Sequence, residues 1–313
     1  MIDTNTLAND ARGRWAGILE AHGFDTKCLR NVHGPCPLGC GGQRSWRFDD
    51  QLNGRWICTH CGSGDGFDAL RKKHGWDFPK VKAEVAAMVG AVPVTFEQRP
   101  ERSQESKAKA CRELLEGASC VEEGSPAWLW LRYRCGYPVA IYGDLRAHPG
   151  IRHTASGDIH PAMLAIMRYA DGHGASVHRT YLTPDGRKAD VDPVRMMMPG
   201  SPLNGSAVRL GPIAERIGIA EGIETALCAS KMFKIPVWAA TNAGLLSTWE
   251  PPKGVGAVVI CGDNDANFTG QNAAYALAKR LRTVGIDVEV RIPHEVGTDW
   301  ADVFEGEGWR DLT

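Results

Sequence analysis

No run of apolar residues in this 313-residue sequence is long enough to cross a bilayer. The opening MIDTNTLAND has neither the basic nor the apolar stretch of a secretory signal. Those two absences predict a cytoplasmic protein with no membrane partner. Net charge is almost lacking too: 36 Lys and Arg stand against 37 Asp and Glu, so no chain-wide field of one sign exists to gather a polyanion. The front is slightly basic (16 against 13 over residues 1–110) and the back slightly acidic (9 against 13 over residues 216–313), an imbalance within scatter. The sequence has no GxxxxGK[ST] phosphate loop and no internal repeat. In a reducing compartment its ten cysteines are explained by a metal site and buried thiols, not by disulfides.

What is present divides the chain into four stretches. Residues 1–92 hold a short amphipathic helix with Trp15, Ile18 and Leu19 on one face, a Gly-, Cys- and aromatic-rich segment, and a helix around Phe78–Val89. Residues 93–109 are polar and aperiodic, which predicts a linker. Residues 110–215 are mixed α+β, with a helical SPAWLWLRYR and strands near Ala162–Tyr169 and Ser176–Leu182. Residues 216–313 alternate strand and helix: IGIA, IETALCASKMF, PVWAA, GAVVICG, GQNAAYALAKRLRTVG, DVEVRIP. That alternation predicts a parallel sheet flanked by helices.

In the first stretch Cys36 and Cys40 form one pair and Cys58 and Cys61 another, seventeen residues apart. Two such pairs predict a structural Zn²⁺ site, each pair closing on one ion through a tight turn. Gly41 and Gly62 follow the second cysteine of each pair and let backbone N–H groups approach the sulfurs. His33 or His60 can stand in for one cysteine. Between the pairs, WRF and RWI predict two short strands of a ribbon too small to fold without its metal. Arg44, Arg47 and Arg55 alternate there with Trp46, Phe48 and Trp56. The arginines suit phosphate, and the rings suit either base stacking or a miniature core.

In the last stretch VVICGDNDAN reads as a buried strand ending on Asp263 and Asp265, two carboxylates one residue apart. Glu221 ends the strand IGIA, with Glu224 one step into the next helix. Asp299 and Asp302 follow the last strand, in TDWADVF. In an open parallel sheet, ligands bind beyond the carboxyl ends of the strands. Three strands thus deliver acids to one edge, and clustered carboxylates without His or Cys call for Mg²⁺ or Mn²⁺. Taken singly, each acid has a plainer use as a turn former or helix cap.

EGIETALCA followed by a hydrophobic strand ending in DND resembles the TOPRIM domain of primases, topoisomerases and some nucleases. Glu221, Asp263 and Asp265 match its hallmark acids, and TDWADVF is similar to the acidic segment that often follows. CPLGCGG…GRWICTHCGSGDG resembles the zinc ribbon of phage and plasmid primases, with one extra residue in the first knuckle. The resemblance covers residues 33–70 and 216–305. It implies an α/β TOPRIM domain and an N-terminal zinc β-ribbon, in a bacterial, phage- or plasmid-encoded DNA primase making RNA primers on single-stranded DNA from ribonucleoside triphosphates. Glu221, Asp263 and Asp265 would then be catalytic and hold the divalent ions, with Asp299 and Asp302 behind them. Arg44, Arg47, Arg55, Arg179, Lys188 and Arg195 would hold template or triphosphate, although HRTYLTPDGRKADVDPVR also reads as a solvated hairpin. Without a phosphate loop, unwinding falls to a separate replicative helicase. The rivals are a TOPRIM nuclease and a non-catalytic zinc-ribbon adaptor at the replication fork.

Overall fold

The computed structural model describes residues 4–50, 53–92, 103–136, 142–200 and 203–306. The chain forms two compact units, residues 1–101 and 102–313. In the first, helices α1 (Thr4–Asp10) and α2 (Trp15–Ala21) precede a ribbon of three antiparallel strands, β1 (Trp46–Phe48), β2 (Trp56–Cys58) and β3 (Gly62–Gly64). Helices α3 (Gly66–His74) and α4 (Phe78–Val89) follow. Helix α2 buries Trp15, Ile18 and Leu19, as their spacing predicts. The Asp65 carboxylate accepts the Asp68 N–H at the head of α3, and Asp77 accepts the Lys80 N–H at the head of α4.

Strands of three residues enclose little apolar area, so aromatic rings make up the interior of this unit. Trp46 and Trp56 stack with centroids 4.8 Å apart, and Trp15 meets Phe67 edge-on at 4.8 Å. Each ribbon indole N–H is satisfied at 2.8 Å, Trp46 Nε1 by the Cys28 carbonyl and Trp56 Nε1 by that of Asp65. Trp46, Phe48 and Trp56 are 0, 3 and 0% exposed. The option of base stacking is therefore overturned for all three. Strand alternation turns these rings inward and leaves Ile57 facing out.

The second unit begins with α5 (Gln104–Glu116), α6 (Pro126–Cys135) and the strands β4 (Leu145–Arg152), β5 (Ile159–Arg168), β6 (Gly174–Tyr181), β7 (Arg195–Met197) and β8 (Ala207–Val208). Then come β9 (Arg216–Ala220), α7 (Ile223–Phe233), β10 (Val237–Ala239), α8 (Ala243–Thr248), β11 (Ala257–Cys261), α9 (Thr269–Thr283), β12 (Asp287–Arg291) and α10 (Trp300–Gly306). Helix α5 corrects the expected linker: residues 103–109 are helical or cap the helix, with the Ser103 hydroxyl accepting the Ser106 N–H. Leu114 and Leu115 tie α5 to the cluster formed by Leu164, Val177 and Tyr181. The remainder of that stretch, 93–102, lies outside the described residues.

Among the described residues, nine strands of this unit form a single sheet in the order β12-β11-β9-β10-β8-β5-β6-β7, with β4 also on β5. The strands expected to alternate with helices, β9 to β12, are parallel to one another. The mixed region continues the same sheet antiparallel through β8. In β11, Val258, Val259, Ile260 and Cys261 are all buried, as a strand covered on both faces requires. Chain connections leave β9 and β11 in opposite directions, so a crevice opens between their carboxyl ends.

Ile260→Ala opens a cavity in this core and should lower the stability of the second unit by about 2–5 kcal/mol. Urea unfolding should register that loss while zinc content stays at the wild-type level. A loss under about 1 kcal/mol would mean that β11 is not the core strand described.

Candidate functional site

Two groups of side chains can bind metal. In the ribbon, the sulfurs of Cys36, Cys40, Cys58 and Cys61 all lie within 4.8 Å of one another. Cys36 Sγ is 3.8 Å from Cys61 Sγ, and Cys40 Sγ is 3.7 Å from Cys58 Sγ. Tetrahedral zinc with bonds of ~2.3 Å needs sulfurs ~3.8 Å apart, a spacing that two of the pairs already have and that the whole set, within 4.8 Å, can reach by small side-chain shifts. The extra residue in the first knuckle is accommodated, since Cys36 and Cys40 both reach the cluster. His33 stands outside the set, and His60 Nδ1 is 3.9 Å from Cys40 Sγ as a neighbour of it. Gly41 and Gly62 have φ of 78° and 85°, left-handed conformations that glycine adopts freely. The Gly42 N–H, hydrogen-bonded to the Cys40 sulfur, is the main influence drawing that thiol down to about 6. Arg44 and Arg55 are exposed on the ribbon. Arg47 is engaged: its Nε donates to Asn31 Oδ1 and its Nη2 is 3.7 Å from Asp49.

The second group lies at the carboxyl edge of the sheet. Ala220 at the end of β9 pairs with Cys261 at the end of β11, so Glu221 and the Gly262–Asp265 turn leave adjacent strands together. Asp263 Oδ1 is buried without a hydrogen-bond partner. Burial, then the nearby Glu221, Asp299, Asp265 and Asp302, pushes the Asp263 carboxyl up to about 8. Burial, Asp265 and Asp299 push Glu221 up to about 7, against a backbone hydrogen bond from Ala243 and the pull of Arg195. Asp265 Oδ2 accepts the Gly270 N–H at 2.8 Å at the head of α9. Residue 270 must be glycine, because a Cβ there would sit 2.7 Å from the Asp263 carbonyl oxygen.

Asp299 and Asp302 cap α10 reciprocally. Asp299 Oδ1 accepts the Asp302 N–H and Asp302 Oδ2 accepts the Asp299 N–H, both at 3.0 Å. Thr225 Oγ1 holds the other Asp299 oxygen at 3.1 Å. These two acids thus combine the plain capping use with electrostatic reach to Asp263. Among the described residues, no three carboxylates draw their oxygens together as the four sulfurs do. Ionised carboxylates without a counter-ion repel. An all-carboxylate donor set, an orphaned buried oxygen and two carboxyls whose proton affinity is raised by burial and by each other together fit a hard divalent cation.

The candidate cations separate. Lys188 Nζ lies 5.6 Å from the Trp130 ring centroid, and its pKa is lowered by burial and by Arg195 against the pull of Glu224 and Asp299. Arg195 Nη2 donates to Glu224 Oε1 at 2.9 Å, where Trp130 Nε1 also donates at 2.9 Å. Burial alone would raise the Glu224 carboxyl. The Arg195 guanidinium and the indole outweigh burial and hold that carboxyl below the usual range. Both Lys188 and Arg195 therefore reach the acid edge. Arg179 does not fit its expected role as a phosphate contact. It is buried, paired across the sheet with Leu164 under α5, its guanidinium 5.8 Å from the Tyr181 ring centroid. Strand alternation sends its neighbour His178, not Arg179, toward Arg195 and Glu224.

Of the residues that organise this edge, Glu224 was marked in the sequence as one of its acids, whereas nothing marked Trp130 or Asn264. Glu224 anchors Arg195, Trp130 anchors Glu224, and Asn264 ties the DND turn to the loop after β12 by donating to the Pro293 carbonyl at 2.9 Å.

Two predictions follow from this chemistry. Metal analysis should find one zinc per chain, and Cys58→Ser should lose most of it; full retention would shift a ligand role to His60. In metal-free protein, Glu221 and Asp263 hold protons when folded that they release when unfolded, between roughly pH 4 and 8. Their contribution to stability is therefore fullest at low pH and declines as pH rises through that window. Asp263→Asn should raise the melting temperature at pH 8 by a few degrees and change it little at pH 4. An equal fall at both pH values would make Asp263 a structural turn residue.

Comparison with known families agrees with this geometry. Residues 31–67 match the zinc-binding domain of primase-helicase, residues 216–309 the Toprim domain, and residues 105–210 a domain of unknown function (DUF7146). Among solved structures, the Aquifex aeolicus primase (zinc-binding and RNA polymerase domains) is 15% identical, covering 98% of this chain and 83% of that one with a TM-score of 0.41. The primase fragment of the bacteriophage T7 primase-helicase protein is 14% identical, covering 90% and 99% with a TM-score of 0.39. A DNA primase domain from Pseudomonas aeruginosa is 15% identical with a TM-score of 0.34; the match takes in 51% of this chain and 52% of that one, so the chain spans about half its length. The two ends of the chain thus match a zinc-binding domain of the primase-helicase type and a Toprim domain, each over its own stretch of the sequence.

Proposed function

We propose that this chain is a DNA primase that joins ribonucleotides on a single-stranded DNA template. The observation that carries the reading is the presence, in one chain, of a primase-helicase type of zinc-binding domain and a Toprim acid edge with all three hallmark carboxylates. Neither the nuclease nor the adaptor reading accounts for both.

Glu221, Asp263 and Asp265 would hold Mg²⁺ or Mn²⁺, with Asp299 and Asp302 stiffening the site behind them. Divalent ions bound there would stabilise charge on the α-phosphate of an incoming nucleotide and lower the pKa of the attacking hydroxyl. The chain's own residues do the rest. Glu221 would serve either as an ion ligand or as the acceptor of the 3′-hydroxyl proton. Arg195 and Lys188 would take the triphosphate, Arg195 from a guanidinium already oriented by Glu224. Arg44 and Arg55 on the ribbon would contact template phosphates, with Arg47 held in reserve by Asn31 and Asp49. Strand separation is assigned to a replicative helicase, because these 313 residues carry no phosphate loop.

The test is incubation with single-stranded DNA, labelled ribonucleotides and Mg²⁺ or Mn²⁺. Short RNA products are expected; shortened DNA would establish the nuclease, and neither product the adaptor. Asp263→Asn combined with Asp265→Asn should reduce synthesis about a thousandfold, equivalent to roughly 4 kcal/mol of transition-state stabilisation. Zinc content and affinity for single-stranded DNA should be unchanged. Wild-type synthesis by that protein would place the metal site elsewhere.

A further inference from the structure

We propose that the cleft between α8 and α9 receives the nucleobase of a nucleoside triphosphate, stacked on Phe268. The proposal rests on the reading of the acid edge as a nucleotidyl-transfer site and adds to it the group that grips the neutral end of the substrate.

Phe268 is an anomaly by two separate criteria. Its phenyl ring is 70% exposed. Its backbone is left-handed, with φ 62° and ψ 17°, at the start of α9. A bulky side chain is disfavoured in that conformation, where glycine or asparagine is at ease. A strained residue that also leaves an apolar ring in water gains nothing for the fold at that position, and such outliers gather at ligand sites.

The ring borders an open cleft of about 500 Å³. Gly244 and Ser247 line one wall, and Asn267, Thr269 and Asn272 line the other beside Phe268. No Lys, Arg, Asp or Glu lines it, so it is not built for phosphate or metal. An aromatic face with amides and hydroxyls around it suits a flat, uncharged ligand with polar edges, which describes a nucleobase.

Both walls of the cleft are tied to the acid edge. On one side the Phe268 N–H donates to the Asp265 carbonyl at 3.0 Å. On the other, the backbone N–H of Ala243 bonds the Glu221 carboxylate. Thr241, itself left-handed at φ 76°, turns the chain from β10 into that second wall, and its N–H donates to the Glu221 carbonyl at 2.7 Å. A nucleotide with its phosphates at Glu221, Asp263 and Asp265 would thus meet the cleft with its base.

The experiment measures equilibrium binding of ATP and of inorganic tripolyphosphate to the full-length, zinc-loaded protein with Mn²⁺ present. The two ligands share the phosphates and differ in the nucleoside. The wild-type protein should bind ATP more tightly than tripolyphosphate. Phe268→Ala and Phe268→Gly should weaken ATP about tenfold and leave tripolyphosphate within twofold of wild type, while Phe268→Trp should retain ATP. Phe268→Gly should also melt at or above the wild-type temperature, because it relieves the left-handed strain. ATP binding unchanged in Phe268→Ala would overturn the proposal. So would an equal loss of tripolyphosphate, or a loss confined to single-stranded DNA. Failure of the underlying reading looks different: the wild type would make no primers, whatever Phe268 does to ATP.

Discussion

The parallel pairing of β9 with β11 is the constraint on which the rest of the second unit depends. Ala220 stands opposite Cys261, so the chain leaves the sheet at both strands in the same step and sets Glu221 beside the DND turn. A shift of one residue would exchange the faces of every side chain in β11. The strand resists such a shift because it is buried on both faces, and Gly218 helps fix its partner. A Cβ at that position would lie 2.7 Å from Val237 Cγ2 on the strand across β9. Close packing on one side of β9 and exact register on the other thus place two carboxylates where solvent screens them poorly. The fold holds them there at the cost of raised proton affinity, and a cation removes that cost.

The mixed region before the Toprim stretch belongs to the same sheet and completes the edge. It supplies Trp130 from α6, Lys188 from the loop after β6 and Arg195 from β7. Glu224 is the point where these meet, buried and accepting from both an indole and a guanidinium. A charge is thereby neutralised in the interior, and a cation is aimed at the site from a fixed base. Arg179, one residue from His178 in the same strand, is turned away from this arrangement by strand geometry alone. Its case shows how little the type of a residue says about access.

Much of this architecture was legible from the sequence because it rests on local periodicity. The alternation of β-branched runs with helical repeats marked β9 to β12, and the cysteine spacing marked the four sulfurs. The turn after VVIC marked Asp263 and Asp265. What escaped depends on contacts between distant residues. Helix α5 lies partly in a polar, aperiodic stretch, and its identity comes from Leu114 and Leu115 resting on β5 and β6. Trp46 and Trp56 alternate with arginines in a pattern equally suited to a stacking platform. Only the packing of two indoles on each other, with each N–H satisfied inside the unit, decides for a core. The pairing of Glu224 with Arg195 joins residues 29 apart, and no local rule connects them.

The two metal sites implied here play opposite parts in stability. The ribbon consists of strands of three residues whose four sulfurs converge already. Zinc there supplies folding energy, since few other interactions hold those loops in place. At the acid edge the protein core is complete without any ion: β9 and β11 are covered by α7 and α9, and Leu227, Ile260, Ala274 and Leu277 are fully or almost fully buried. A cation there relieves repulsion inside a structure that exists without it. Loss of zinc would therefore threaten the fold of the ribbon, whereas the acid edge stays folded without an ion, with the proton affinity of Glu221 and Asp263 raised. An ion at that edge would be free to exchange, because the buried core beneath it does not depend on its staying.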